Sequence, residues 1–211
     1  MVTLAAKLML AMLPPQTAFF KLQVRDDKLG ETLDPNMRSE LDLSFSKIER
    51  LIMDYIAASS DRVVVHQAFK HLIVSGNALI FMAKDGLKHY PLNRYVVERD
   101  GNGNVIEIIT KEMVSRKVLG LTPPPSEEPN ANGDYGVDGD DAEVYTCVKL
   151  DESSGNWRWH QEVDDMILAG SQSTAPKNAS PWLVLRFNTV DGEDYGRGRV
   201  EEFIGDLRSL D

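Results

Sequence analysis

The side chains able to do chemistry are few and scattered. Two acidic groups, Asp164-Asp165 and Asp191/Glu193/Asp194, carry the carboxylates that a divalent cation would need. Neither has the regular loop spacing of a calcium site, so both read as solvated turn acids; a metal-dependent hydrolase or nuclease using Asp164, Asp165, Asp191 and Asp194 is the alternative. His66 and His71 stand five apart on one predicted helix, off the i, i+4 spacing of a zincin pair. His89 and His160 fall in predicted strands with no carboxylate at ligand spacing. All four histidines read as surface or packing residues, and none is assigned to a metal. Cys147 lies mid-strand between Thr146 and Val148, without a helix N-terminus to stabilise a thiolate, and reads as a small apolar filler. No nucleophile, base and orienting partner come together, so the expectation is a scaffold or interaction protein with no catalytic residues and no cofactor.

Two glycine pairs invite a phosphate-binding reading. Gly101-Asn102-Gly103 is flanked by strands on both sides, whereas a dinucleotide loop must open into a helix, so it reads as a hairpin turn. Gly196-Arg197-Gly198 does precede a predicted helix, but it lacks both the Gly-x-Gly-x-x-Gly spacing and a Walker lysine. Its plainer reading is a sharp, close-packed helix entry.

The elements that must position these residues follow from hydrophobic period. Leu4, Ala5, Leu8, Met9 and Met12 predict a first helix ended by Pro14-Pro15. Its lysine lies inside the apolar run and no small-x-small site follows, which disfavours a signal peptide; no stretch is long enough to span a membrane. Thr17–Val24 alternates as a short strand, and 25–36 is a charged connector. Residues 38–58 are helical, with Leu41, Phe45, Ile48, Leu51/Ile52 and Tyr55/Ile56 in phase. Ser59-Ser60-Asp61 breaks that helix and caps the next, 62–74, whose inward face is Val65, Phe69, Leu72 and Ile73. So short a connection predicts an antiparallel helical hairpin, read as core rather than as a docking surface.

Gly76 suits a left-handed cap, after which the period changes to two. Strands are predicted at 78–83, 88–92, 95–99, 105–111, 143–150, 157–163 and 182–187, with hairpins around Asp100–Asn104 and Asp151–Gly155. Trp157 and Trp159 share a strand face and are placed in the core. Helices, then strands, then a helix argue for α+β. The closing helix would put Val200, Phe203, Ile204, Leu207 and Leu210 on one face; still apolar at its last turn, it is expected to continue in a longer parent.

The formal charge is −10, but residues 121–142 hold six acids and no Lys or Arg, and the rest of the chain carries only −4. That Pro-rich acidic stretch predicts a mobile surface loop, and the missing basic clusters argue against gripping nucleic acid. The lone cysteine excludes an intrachain disulfide framework and cysteine-rich structural zinc.

An ordered set of segments now adds a resemblance. Residues 5–17 (AAKLMLAMLPPQT), 48–56 (IERLIMDYI), 76–80 (GNALI), 95–105 (YVVERDGNGNV) and the terminal DGEDYGRGR with EFIGDLRSL together resemble the portal protein, or head-to-tail connector, family of short-tailed podovirus phages. The resemblance covers nearly all 211 residues, the acidic loop 120–142 matching least. It implies a dodecameric ring at one capsid vertex, the head–tail junction of the virion, assembled in the host cytoplasm. Double-stranded DNA would pass through that ring in packaging and ejection. Implied partners are terminase, the tail adaptor and tail proteins, capsid and scaffolding proteins, with no membrane. By the same resemblance 1–75 is the helical part of a wing, 76–190 its β-rich part, and 191–211 an elbow toward a stem. Asp191, Asp194, Arg197 and Arg199 are the expected subunit or elbow contacts. A different virion adaptor module is the remaining alternative.

Overall fold

The computed structural model describes residues 2–15, 17–23, 34–121 and 141–209. Helix α1 (Val2–Met12) runs to the proline pair as its apolar period requires. Helix α2 (Pro35–Ala58) starts with proline in its first turn, where the missing N–H has no helical partner in any case. Ser59, extended at φ −81° and ψ 164°, ends it. The Ser59 hydroxyl then accepts the Asp61 N–H at 3.3 Å as helix α3 (Asp61–Ser75) begins.

Helix α3 stops on Gly76, whose φ of +76° no L side chain adopts cheaply. Strand β1 (Asn77–Ala83) follows at once, paired to β2 (Gly86–Tyr90) on one side and β9 (Trp182–Arg186) on the other, both antiparallel. A second sheet takes β3 (Tyr95–Arg99), β4 (Val105–Ser115), β5 (Asp141–Asp151), β6 (Asn156–Val163) and β7 (Met166–Ile167) in that order, with β8 (Ser173–Pro176) also pairing β6. The α+β expectation holds.

The core lies between the sheets. Leu79, Tyr90 and Trp182 of the first sheet meet Tyr95, Val97, Ile108, Val148 and Trp157 of the second. Trp182 stacks on Phe81 with ring centroids 4.2 Å apart. On the other face of the first sheet, Ala78 and Ile80 pack against Ala68 of α3, and α3 turns Phe69 and Ile73 toward Ala5 of α1. Strand β1 is therefore covered on both faces, which explains its unbroken apolar run where a half-exposed strand would alternate. Fully burying a side chain such as Leu79 contributes roughly 2 kcal/mol.

Several expectations need correction. The described residues 17–23 form no strand: the Leu22 N–H donates to the Glu49 carboxylate of α2 at 2.6 Å, and a helix offers no free backbone edge for pairing. The core role expected of both hairpin helices falls to α3, because none of the described side chains of α2 is buried. Strands β7 and β8 were not foreseen. The turn into β7 uses Asp164 and Asp165, both left-handed at φ 49° and 61°, in place of the Asn-Gly that usually signals such a hairpin. Strand β8 is short and polar, and the backbone of Trp157 and Trp159 fixes its register. The predicted acidic loop and the charged connector lie almost wholly outside the described residues.

Candidate functional site

Residues 187–198, which lead into and form the first part of the expected elbow 191–211, are held where three elements meet. Its backbone crosses the junction of α3 and β1 so closely that side chains are excluded. A Cβ on Gly76 would sit 2.3 Å from the Arg197 carbonyl carbon, and one on Gly198 would sit 2.2 Å from the Val74 oxygen. Gly196 is hemmed in likewise by the Arg186 Cβ and the Gly76 oxygen, each at 2.8 Å. The glycines at 196 and 198 therefore serve close packing of chain on chain, as the plainer sequence reading held, and phosphate is not needed to explain them.

Asn77 locks this crossing. Its Oδ1 accepts the Gly196 N–H at 2.7 Å, while its Nδ2 donates to the Gly196 carbonyl at 2.7 Å and the Ser75 carbonyl at 2.8 Å. The side chain thus stands in for a strand partner to a residue that has none. Backbone bonds extend the seam: Phe187 N–H to Gly76 O at 2.9 Å, and Arg197 N–H to Asn188 O at 2.8 Å.

On its other side the elbow is tied to the second sheet. The Arg99 N–H donates to Asp194 Oδ1 and the Arg99 Nε to the Asp194 carbonyl, both at 2.9 Å. A further guanidinium nitrogen of Arg99 donates to Gly103 O at 2.8 Å, and the Tyr195 hydroxyl accepts the Val97 N–H at 3.1 Å. Arg186 reaches the Glu193 carbonyl at 2.8 Å. Burial, then the neighbouring Arg186 cation, push the Arg99 guanidinium below its ordinary pKa, against the opposing pull of Asp194. Between the β3–β4 turn and the elbow lies a polar cleft of about 510 Å³, lined by Arg99, Arg186 and residues 189–194.

Of the four expected contact residues, Asp194 is drawn inward to Arg99, and the others face outward. Asp191 is exposed on the cleft rim; Arg197 pairs with Glu193 at 2.6 Å; Arg199 lies over the Phe187 ring at 5.8 Å. Exposed pairs of this kind contribute little to stability. The helix beyond them is not continuous. It forms two short turns, α4 (Arg199–Glu202) and α5 (Ile204–Arg208), broken at Phe203, and leaves Phe203 and Ile204 nearly half exposed. Glycine at 205 weakens a helix whose Phe203 and Ile204 find little cover among the described residues.

Asp164 and Asp165 lie elsewhere. Asp164 receives two hydrogen bonds from the Arg116 guanidinium, at 2.8 and 3.1 Å, at the β6–β7 turn, and these acids line a different depression from Asp191 and Asp194. The four carboxylates that a hydrolase would need do not converge. Sequence reasoning missed Asn77, Arg99, Arg186 and Tyr195. One signal was present: asparagine is a poor strand former, yet it opens β1.

One histidine reading holds and one changes. The rings of His71 and His89 pack with centroids 4.7 Å apart, joining α3 to β2. His160, expected to lack a carboxylate, meets Glu162 at 2.8 Å, because residues two apart on a strand share a face. Burial and then His71 lower the His89 pKa to about 4; burial and then Lys70 lower that of His71. Both rings are therefore held neutral in the fold, while in the unfolded chain they titrate near the ordinary value. As pH falls from about 6.5 toward 4, the unfolded chain takes up protons that the fold refuses, and stability declines. The expected loss from His89 is on the order of 2 kcal/mol after allowance for a ring that is only partly buried. Urea midpoints at about pH 7.5 and about pH 4.5 measure it. A His89→Gln chain whose midpoint falls as steeply as the parent's would place the acid sensitivity elsewhere.

The chain matches the model of the family described as bacteriophage head to tail connecting protein over residues 1–211. It is 38% identical over 216 residues to the portal protein of Enterobacteria phage T3, covering 99% of this chain and 39% of that protein. Against the portal protein of Escherichia phage T7 it is 38% identical over 217 residues, covering 99% and 40%. The portal protein of Enterobacteria phage SP6 is 30% identical over 210 residues, covering 97% and 40%. The chain thus spans about two-fifths of the length of these curated relatives.

Proposed function

The chain belongs to the bacteriophage head to tail connecting protein family, and from that premise we propose that it builds the wing of a portal subunit. The observation that carries this reading is that the match runs through every part of the chain, elbow included, to relatives that are each portal proteins. In this reading the protein is structural and not an enzyme. Residues 1–75 form the helical part of the wing, 76–190 the β-rich part, and 191–211 the elbow toward the stem. Copies close into a dodecameric ring at the head–tail junction of the virion, after assembly in the host cytoplasm. Double-stranded DNA passes through the ring, and terminase, the tail adaptor and the capsid and scaffolding proteins dock on it.

Physical features support this assignment of roles. A net charge of −10 suits a segment that holds the channel in place without gripping the duplex. In a closed ring each subunit offers one face to a different face of its neighbour. Helix α2, with Leu43 60%, Leu51 67% and Tyr55 59% exposed, supplies apolar surface for such a contact. Asp191, Arg197 and Arg199 supply exposed charge beside the elbow, while Asp194 is spent on Arg99.

Mass photometry and electron microscopy test the reading. The product of the whole reading frame that holds this chain is expected to form rings of about twelve copies with a central channel. Residues 1–211 alone should give monomers or a mixture, and R197E with R199E in the longer protein should reduce ring yield without lowering its urea midpoint. A uniform dodecamer from residues 1–211 alone would show that the contacts of this segment suffice to close the ring, without the rest of the longer protein. Longer protein that stays monomeric would overturn the portal reading itself.

A further inference from the structure

The solvent-side face of the second sheet carries a donor set that the wing reading does not use. Strands β5 and β6 pair antiparallel with Cys147 opposite His160, and Glu162 follows two residues on along the same face. Their neighbours Val148 and Trp159 point the other way, into the core between the sheets. A thiol sulfur, an imidazole nitrogen and a carboxylate oxygen thereby lie within 4.8 Å of one another. His160 Nε2 and Glu162 Oε1 are already 2.8 Å apart, and both side chains remain about one-third exposed, so an ion can reach them.

We infer that Cys147, His160 and Glu162 bind a divalent ion of the zinc class, with water in the fourth position. The donor chemistry selects the ion: a thiolate with an imidazole suits zinc or cobalt, whereas magnesium and calcium demand oxygen ligands. The geometry is close to what such an ion needs. Metal–ligand bonds of about 2.0–2.3 Å in a tetrahedron put neighbouring donors roughly 3.3–3.8 Å apart. The His160–Glu162 contact must open by roughly half an ångström to admit the ion, and the Cys147 sulfur, within 4.8 Å of both, must close by up to about 1 Å, movements within reach of side-chain rotation. A cleft of about 620 Å³ bordered by Glu107, Cys147 and His160 gives water and ion a route to the fourth position.

Cobalt titration of the metal-free 211-residue chain tests the site. The expected result is one equivalent bound, with a thiolate-to-cobalt charge-transfer band and the strong visible absorption of tetrahedral cobalt, both bleached by zinc. Cys147→Ser should abolish the charge-transfer band. His160→Gln and Glu162→Gln should each weaken binding about tenfold or more, and His66→Gln should leave it unchanged. Millimolar magnesium should not displace the cobalt. The three ligands are surface-facing, so circular dichroism should show the variants folded. An absent thiolate band in the parent chain, equal binding by Cys147→Ser, or displacement by magnesium would each overturn the site.

Discussion

Gly76→Ala is expected to cost about 3–5 kcal/mol, enough to leave much of the protein unfolded. Two separable penalties add. The first is conformational: at φ +76° an L residue pays on the order of 1 kcal/mol to stay left-handed. The second is steric: the new methyl group would lie 2.3–2.6 Å from backbone atoms of Arg197, Gly198 and Gly196. Those atoms cannot retreat cheaply, because Asn77, Phe187 and Asn188 hold the same stretch by hydrogen bonds. Three other glycines separate the terms. Gly192 shares the φ of +76° but has no described residue within 4 Å of an added Cβ, so Gly192→Ala reports the conformational term alone, about 1 kcal/mol. Gly198, at φ −91°, is conformationally ordinary but crowded by Val74, so Gly198→Ala reports the steric term, roughly 2–4 kcal/mol. Gly101 has neither constraint, and its alanine variant should stay within about 0.5 kcal/mol of the parent. Urea denaturation of the four variants gives the order. If Gly76→Ala proves no worse than Gly192→Ala, the elbow is not packed as described.

The contrast between these glycines marks how far sequence reasoning reached. The period change at Gly76, the two long hairpins and the paired tryptophans were legible because each depends on local spacing: Gly76 ends a 3.6-residue pattern, and Asp100–Asn104 sits between two alternating runs. The inward face of α3 followed from the same logic, with Phe69 8% and Ile73 1% exposed. The elbow was legible only as a close-packed turn. What fills the space beside Gly196 and Gly198 is Val74, Gly76 and Asn77, more than a hundred residues earlier, and no spacing rule encodes that meeting. The role of Arg99 was hidden for the same reason, since a strand-end arginine looks solvated until Asp194 is brought beside it. The hydrophobic pattern did specify a closing helix, but period alone does not supply the packing that a short helix needs, and the chain breaks at Phe203. The Cys147–His160–Glu162 grouping lay between these cases. Glu162 stood within the strand pattern two residues from His160, while Cys147 needed the β5–β6 register to be placed.

Asn77→Asp probes the same joint by charge instead of volume, and it is expected to cost about 3–5 kcal/mol near neutral pH. The shape is preserved, and one carboxylate oxygen can still accept the Gly196 N–H. The other oxygen, however, replaces an NH₂ group that donates to two carbonyls, Gly196 O and Ser75 O. An ionised carboxylate there faces two acceptors in a site only 3% exposed, so the folded variant favours the protonated acid. The sign is then fixed. A carboxyl whose folded pKa is raised stabilises the fold below its unfolded value of about 4 and loses that contribution as pH rises. The gap between Asn77→Asp and the parent should therefore widen from about pH 4 to about pH 7. Comparing the two chains at each pH removes the opposing acid loss from His89, which both share. Asn77→Ala provides the reference without charge: it strands the buried N–H and carbonyl of Gly196, costs about 2–4 kcal/mol, and should show no added pH dependence. A constant Asn77→Asp gap across that range would mean that the amide does not donate to those carbonyls. The elbow would then be held chiefly by Arg99 and Asp194, and Asp194→Ala would become the costlier change.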